Sequence, residues 1–269
     1  MNGKIVRKVP KSLRRIIRPV YYFLIDTFDS ALGRRDELTP PRSRMIFVGG
    51  YGDFRAVGEE FLRYFVEFGK LKPNESVLDV GCGIGRMAVP LTRFLDKNGS
   101  YEGFDIVKTD IDWCNNNISR KFPNFRFQHA DMLNRVYNPK GKVDAAKWRF
   151  PYQNGSFDFV FLTSVFTHML PEAMENFFSE ISRVLRRDGR SLITFFLLNE
   201  KPVELVDQRK NALDFKYDFG EYRVIDKDEP EAAIAYDERY IRSLYQKHGM
   251  MIMEPVHYGY QDIIVAIRT

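Results

Sequence analysis

From residue 76 onward, short apolar runs alternate with stretches in which apolar residues recur every third or fourth position. The runs Ser76–Val80, Ser100–Asp105, Phe125–His129, Phe157–Leu162, Ser191–Leu197, Met251–Pro255 and Asp262–Ile267 read as strands. Met87–Leu95, Thr109–Lys121 and Glu172–Leu185 read as helices between them, and residues 132–156 form a longer irregular stretch. Asp237 suits the N-cap of a helix over Glu238–Lys247, with Gly249 as its stop. Alternation of this kind predicts βαβ units, hence an α/β fold with a mainly parallel sheet. Ahead of it, Phe61, Leu62, Phe65 and Val66 mark one face of a helix that ends near Gly69. Residues 200–236, rich in Asp, Glu, Tyr and Phe, follow no period. They form either a surface excursion or a cover over the C-terminal edge of the sheet, where open α/β sheets bind ligands.

The first residues behave differently. Leu13, Ile16, Ile17, Val20, Tyr21 and Leu24 fall on one helical stripe, with Arg14, Arg15 and Arg18 off it. Pro19 kinks that helix or starts a new one, and Leu38-Thr39-Pro40-Pro41-Arg42 reads as an extended linker. Residues 1–45 are therefore an arm with its linker, and residues 46–269 the body. Charge divides the chain in the same way. The net charge is +5, yet residues 1–25 hold seven basic residues (Lys4, Arg7, Lys8, Lys11, Arg14, Arg15, Arg18) and no acid. Without those seven the rest carries −2. The body is then no general polyanion binder, which counts against nucleic acid as a partner. Three fates suit the arm: packing on the body, lying on an anionic membrane surface, or docking a partner protein. Attraction of about 1 kcal/mol per basic residue, added to apolar burial, supports a peripheral place at the inner face of a membrane. No apolar run nears the roughly 20 residues of a transmembrane helix, and Val20–Ile25 is too short for a signal-peptide core. The two cysteines, Cys82 and Cys114, make neither a disulfide framework nor a zinc spacing, so a reducing, cytoplasmic setting is expected. The oligomeric state stays open.

Val77-Leu78-Asp79-Val80-Gly81-Cys82-Gly83-Ile84-Gly85-Arg86 puts three glycines at alternate positions where the first strand ends. A dinucleotide loop reads G-x-G-x-x-G, its third glycine allowing close helix packing beside the pyrophosphate. Arg86 fills that slot here. Asp79, two residues before Gly81, would repel a pyrophosphate and could attract a cation.

This stretch resembles motif I of the class I S-adenosylmethionine-dependent methyltransferases. Later segments resemble the same family in order and spacing. Tyr101-Glu102-Gly103-Phe104-Asp105-Ile106 ends the second strand and His129-Ala130-Asp131-Met132 the third. Phe150–Asp158 is similar to the lead-in to strand four, and Leu185–Arg190 to the turn before strand five, with Asp188 in place of a glycine. Asp79, Asp105 and Asp131 stand 26 residues apart. The resemblance covers about residues 70–200 well and implies a Rossmann-like seven-stranded sheet, helices on both faces, with the last strand antiparallel. It implies S-adenosyl-L-methionine as cofactor and S-adenosyl-L-homocysteine as product. Gly81, Cys82, Gly83 and Gly85 would form the cofactor loop, and Asp79 would face the zwitterionic end. Asp105 would receive the two ribose hydroxyls and Ile106 lie against the adenine. Asp131 would accept from the adenine amino group, and Met132 would give a backbone N–H or an apolar contact. Thr163 would touch the methionine part. Tyr51 and Phe54, in Gly49–Phe54, would lid the sulfonium by cation–π attraction, unless that glycine-rich stretch is only a hinge.

Methyl transfer needs a nucleophile aligned at roughly 3–3.5 Å from the methyl carbon, and a hydroxyl or ammonium acceptor also needs a base. Of the histidines 129, 168, 248 and 257, His168 follows strand four at the sheet edge and could be that base, with an ordinary pKa near 6.5. A histidine that only orients the loop is the plainer alternative, and His129 reads as structural. The leading expectation is methyl transfer to a small-molecule, lipid-linked or glycan acceptor, at oxygen. No Asp/Asn-Pro-Pro-Tyr site follows strand four, where Leu162-Thr163-Ser164-Val165 stands, so nucleic acid or protein is the alternative substrate class. A non-catalytic membrane-docked domain and an NAD-dependent oxidoreductase also compete. Asp79, the glycines, Asp105 and Asp131 weigh against the first, and Asp79 and Arg86 against the second.

Overall fold

The computed structural model describes residues 22, 24–28, 36–45, 53–199 and 213–269. The arm before Tyr22, Tyr51 with its glycines, and the first part of the 200–236 segment lie outside these residues. In chain order the strands are β1 Ser76–Val80, β2 Ser100–Asp105, β3 Phe125–His129, β4 Phe157–Leu162, β5 Leu185–Phe195, β6 Leu197–Leu198, β7 Tyr217–Asp218, β8 Tyr222–Val224, β9 Ile234–Asp237, β10 Met250–His257 and β11 Asp262–Arg268. The helices are α1 Phe54–Glu67, α2 Ala88–Phe94, α3 Lys108–Cys114, α4 Pro171–Val184 and α5 Glu238–Lys247.

The main sheet runs in the order β10-β11-β5-β4-β1-β2-β3. Its pairs are parallel except at β11, which is antiparallel to β5 and to β10, as the resemblance implied. The chain builds β1 to β3 outward and then returns to lay β4 on the other side of β1. That reversal opens a crevice at the carboxyl ends of β1 and β4. Pleating decides which side chains face which layer. Val77, Phe159 and Phe161 pack with Phe65, Ile111 and Cys114 in one buried cluster. Leu78, Val80, Val160 and Leu162 pack with Phe177, Phe178 and Ile181 in the other. Each such burial contributes about 1.5–3 kcal/mol, so strands and helices are held as a three-layer sandwich.

Three expectations change in detail. The single helix expected over 109–121 is α3 followed by a π-helical turn, Asn115–Ser119. There Asn117 Nδ2 donates to the Trp113 carbonyl and Asn115 Nδ2 to the Phe127 carbonyl, so side chains compete for backbone acceptors. The linker expected to be extended is a run of turns. The Asp26 carboxylate accepts from Arg42 N and Ser43 N at 2.8 and 3.2 Å, and Arg55 pairs with Asp36 at 2.6 Å. The turn before strand five lies inside β5, as a register jump from Phe157↔Leu185 to Phe159↔Arg190 with Asp188 at φ 62°.

The end of the 200–236 segment forms a second sheet, β6-β9-β8-β7, attached directly after β5. Asn134 Nδ2 donates to Glu231 Oε1 at 3.0 Å, and the Tyr236 hydroxyl donates to the Met169 carbonyl. Residues 213–236 therefore lean on the loops after β3 and β4.

Candidate active site

A cavity of about 240 Å³ lies at the carboxyl ends of β1, β2 and β4. Gly81 and Gly83 turn the chain out of β1 with φ values of 81° and 50°. The amides of Gly81 and Cys82 both donate to the Phe104 carbonyl, at 2.9 and 3.0 Å, and so keep the loop against the end of β2. A Cβ at Gly81 would collide with the Val165 side chain, whereas Gly83 has open space before it. Asp105 Oδ2 accepts from Gly83 N and Oδ1 from Val107 N, each at 2.8 Å. Burial raises the Asp105 pKa and these amides oppose the rise. Each carboxylate oxygen keeps acceptor capacity beyond these bonds.

The loop after β4 closes the opposite wall. Ser164 sits at φ 61°, with its amide on Thr194 Oγ1 at 2.8 Å and its hydroxyl on Gln261 Oε1 at 3.0 Å. A left-handed serine is uncommon, and this pair of bonds fixes the bend that presents Thr163 and His168 to the cavity. His168 Nδ1 lies 2.9 Å from the Glu231 carbonyl oxygen. A carbonyl only accepts, so Nδ1 carries the proton and Nε2 keeps the lone pair. Burial lowers the His168 pKa, against its hydrogen bonds to the backbone of residues 231 and 232, which raise it. The Tyr137 ring meets the imidazole edge-on at 5.6 Å. Among the described lining residues the charged groups are Asp105, Asp110 and Arg86. Burial pushes Asp110 up to about 6 and Arg86 down to about 10. Two carboxylates beside one guanidinium fit a zwitterion with a sulfonium better than a pyrophosphate.

The glycine turn, the β2 carboxylate and the β4 loop share one edge of a sheet in which β11 alone is reversed. A family model described as a methyltransferase domain matches residues 77–189. The chain therefore contains a methyltransferase domain. Among the proteins similar to the chain, phosphoethanolamine N-methyltransferase 2 of Caenorhabditis elegans is 28% identical over 157 residues, 56% of this chain and 29% of that protein. The O-methyltransferase cnsE of Penicillium expansum is 28% identical over 178 residues, 62% of this chain and 56% of that protein. The chain thus spans about half, or less, of the length of these relatives. The PH0226 protein of Pyrococcus horikoshii OT3 shares the fold with a TM-score of 0.55 at 17% identity, over 82% of this chain and 93% of that one. A SAM-dependent methyltransferase from Methanosarcina mazei does so at 0.51 and 18%, over 76% and 96%.

The cavity gathers most of the residues read from the sequence: Gly81, Cys82, Gly83, Asp105, Ile106, Met132, Thr163 and His168 line it. Gly85 lies off it; a Cβ there would press on Ile118 Cδ1 at 2.8 Å and Cys114 Sγ at 3.1 Å, so this glycine serves helix packing. Asp131 also lies off it, its carboxylate 3.5 Å from Asn138 Nδ2 and its carbonyl taken by the amides of Lys142 and Val143. His129 Nε2 meets the Ile106 carbonyl at 3.2 Å, as a structural histidine would. Arg86, Asp110, Asn134 and Tyr137 are lining residues that the sequence reading did not assign.

Asp79 does not line the cavity either. It shares the inward face of β1 with Val77 and is 1% exposed. Its Oδ2 accepts from the Tyr101 hydroxyl at 2.6 Å, and Oδ1 has no partner among the described residues. Burial pushes its pKa up to about 8, against the Tyr101 bond. The folded state then keeps a proton that the unfolded chain releases near its ordinary pKa of about 3.9. Stability should therefore fall as pH rises from about 4 to 8 in the ligand-free protein. Asp79→Asn is expected to flatten that slope and raise Tm at pH 8 by a few degrees or more, at about 2–4 °C per kcal/mol. Calorimetric melts of both proteins from pH 5 to 8 check it; parallel curves would show that Asp79 is ionised in the fold.

Proposed function

We propose that the chain transfers the methyl group of S-adenosylmethionine to a small-molecule, lipid-linked or glycan acceptor, at oxygen. The observation that carries this reading is Asp105, a cavity carboxylate pinned by two amides with acceptor capacity to spare. Its two oxygens suit the two ribose hydroxyls. Gly81–Gly83 and Thr163 would hold the methionine part, with Arg86 suited to its carboxylate, and Ile106 and Met132 would flank the adenine. When bound, the cofactor supplies a methyl group on a sulfonium and a thioether leaving group. This chain's own part is to orient the acceptor, exclude water and take its proton. His168 suits the last task, because the Glu231 carbonyl fixes its tautomer and burial keeps the ring neutral at pH 7.

The likeness to an O-methyltransferase supports oxygen as the acceptor atom. The likeness to a phosphoethanolamine N-methyltransferase, with two carboxylates in the cavity, keeps nitrogen as the second reading. Titration calorimetry is the direct test. One S-adenosylhomocysteine per chain is expected, with no heat from NAD or NADP. Absence of S-adenosylhomocysteine binding, or binding of NAD instead, would overturn the proposal. Transfer of a labelled methyl group to a panel of matched alcohols and amines then separates the two acceptor atoms.

A further inference from the structure

The loop after β3 has a second face. Asn134 and Tyr137 turn into the cavity wall. Between and beyond them, Leu133, Val136 and Val143 are 50%, 43% and 37% exposed. Arg135, Lys140 and Lys142 are exposed beside them, and residues 133–143 contain no acid. The shape is held from within. Asn134 and Asn138 exchange backbone hydrogen bonds at 3.2 and 3.0 Å, and Leu133 N donates to the Val143 carbonyl at 2.8 Å. The Asn134 carboxamide oxygen accepts from Val136 N and Tyr137 N at 3.0 and 2.9 Å. The neighbouring acids are engaged. Glu231 takes Asn134 Nδ2 and Arg135 N, Asp131 reaches Asn138 Nδ2, and Asp144 caps Ala146 N. The exposed apolar side chains and the three cations thus belong to one ordered loop, which reaches the cavity through Asn134 and Tyr137.

We propose that this loop docks on the surface of an anionic bilayer, which would bring the cavity close to the membrane. A polyanion such as RNA would use the cations and leave the apolar side chains in water. A second copy of the chain would bury the apolar groups but oppose like charges. A headgroup layer accepts both, with apolar side chains at the acyl boundary and cations among the phosphates. Docking is peripheral in this arrangement: no helix among the described residues is long and apolar enough to cross a membrane. The proposal stands on the surface alone and does not rest on methyl transfer.

The test uses the full chain with sedimenting vesicles of phosphatidylcholine, alone or mixed with phosphatidylserine. Each cation near an anionic surface is worth about fivefold in partitioning. R135Q/K140Q/K142Q should therefore lose about a hundredfold on the mixed vesicles, and L133S/V136S/V143S at least about tenfold. Unchanged thermal melts establish that the variants are folded. The basic arm can add binding of its own, so the loop is also read directly. Cys82 and Cys114 are buried, and an environment-sensitive fluorophore attached through V136C should shift to the blue when mixed vesicles are added. Unchanged partitioning of both triple variants, or no blue shift, would overturn the proposal. So would a solution dimer that L133S/V136S/V143S disperses, or RNA binding that requires the cations while the vesicle signal is absent.

Discussion

Asp105→Ala is expected to weaken S-adenosylhomocysteine binding by about a hundredfold or more. The carboxylate does two things at once in this fold. It accepts from Gly83 N and Val107 N at 2.8 Å each, tying the glycine loop to the start of the chain after β2. It also keeps acceptor sites open to the cavity. A hydrogen bond to a charged group contributes about 1.5–3 kcal/mol, and loss of about 2.7 kcal/mol is a hundredfold in Kd. Removing the side chain takes away the acceptors proposed for the ribose and leaves two amides to find new acceptors, so the loop itself should loosen. Asp105→Asn separates these effects. An amide has one acceptor oxygen where the carboxylate has two, so it can serve the loop or the ribose but not both fully. About a tenfold loss is expected for it. Calorimetric titration of the three proteins gives the numbers, and a loss below about threefold for Asp105→Ala would remove the ribose role.

Asp105 also shows what kind of site residue a sequence announces. It closes an apolar strand, its spacing from the glycines is regular, and it stands at the edge where parallel strands end. Gly81, Gly83, Ile106 and Met132 share that placement, and all reach the cavity. Asp79 carries an equally clear signal but occupies a different kind of position. It lies inside β1, with the parity of Val77, so the pleat turns it into the layer of Tyr101 and away from the crevice. That parity could be read from the strand alone. Asn134 and Tyr137 could not be found in this way, because 132–156 has no period and reaches the cavity through a turn made by side-chain bonds. The second sheet was hidden for a related reason. Strands as short as Tyr217–Asp218 and Tyr222–Val224 offer too few alternations to read, and β6 pairs with β9 across a long excursion. The local chemistry of strand ends is written in adjacent residues. The placement of residues 213–236 depends on long-range contacts such as Glu231 with Asn134.

His168→Ala is expected to lower kcat by about 10²–10⁴-fold, the range for loss of a positioned general base, with S-adenosylhomocysteine affinity little changed. The pH dependence separates this from a role in loop orientation. Burial lowers the His168 pKa from its ordinary value, so the basic form predominates at neutral pH. The rate should rise with pH through the lowered pKa, below about 6.5, and be flat above it. The same shift has a sign for stability. The unfolded imidazole takes up a proton near pH 6.5 and the folded one resists until lower pH, so this group's contribution is lost as pH falls below about 6.5. The decisive variant is His168→Asn. Its amide can donate to the Glu231 carbonyl as Nδ1 does, and so can hold the loop, but it has no basic nitrogen at the Nε2 position. If the imidazole takes the acceptor's proton, His168→Asn should be as slow as His168→Ala and lose the acid limb of the profile. If the imidazole only braces the loop against Glu231, His168→Asn should recover the rate that His168→Ala loses. The acid limb would then belong to another group, and Asp110, pushed up to about 6 in the same cavity, is the carboxyl placed to supply it.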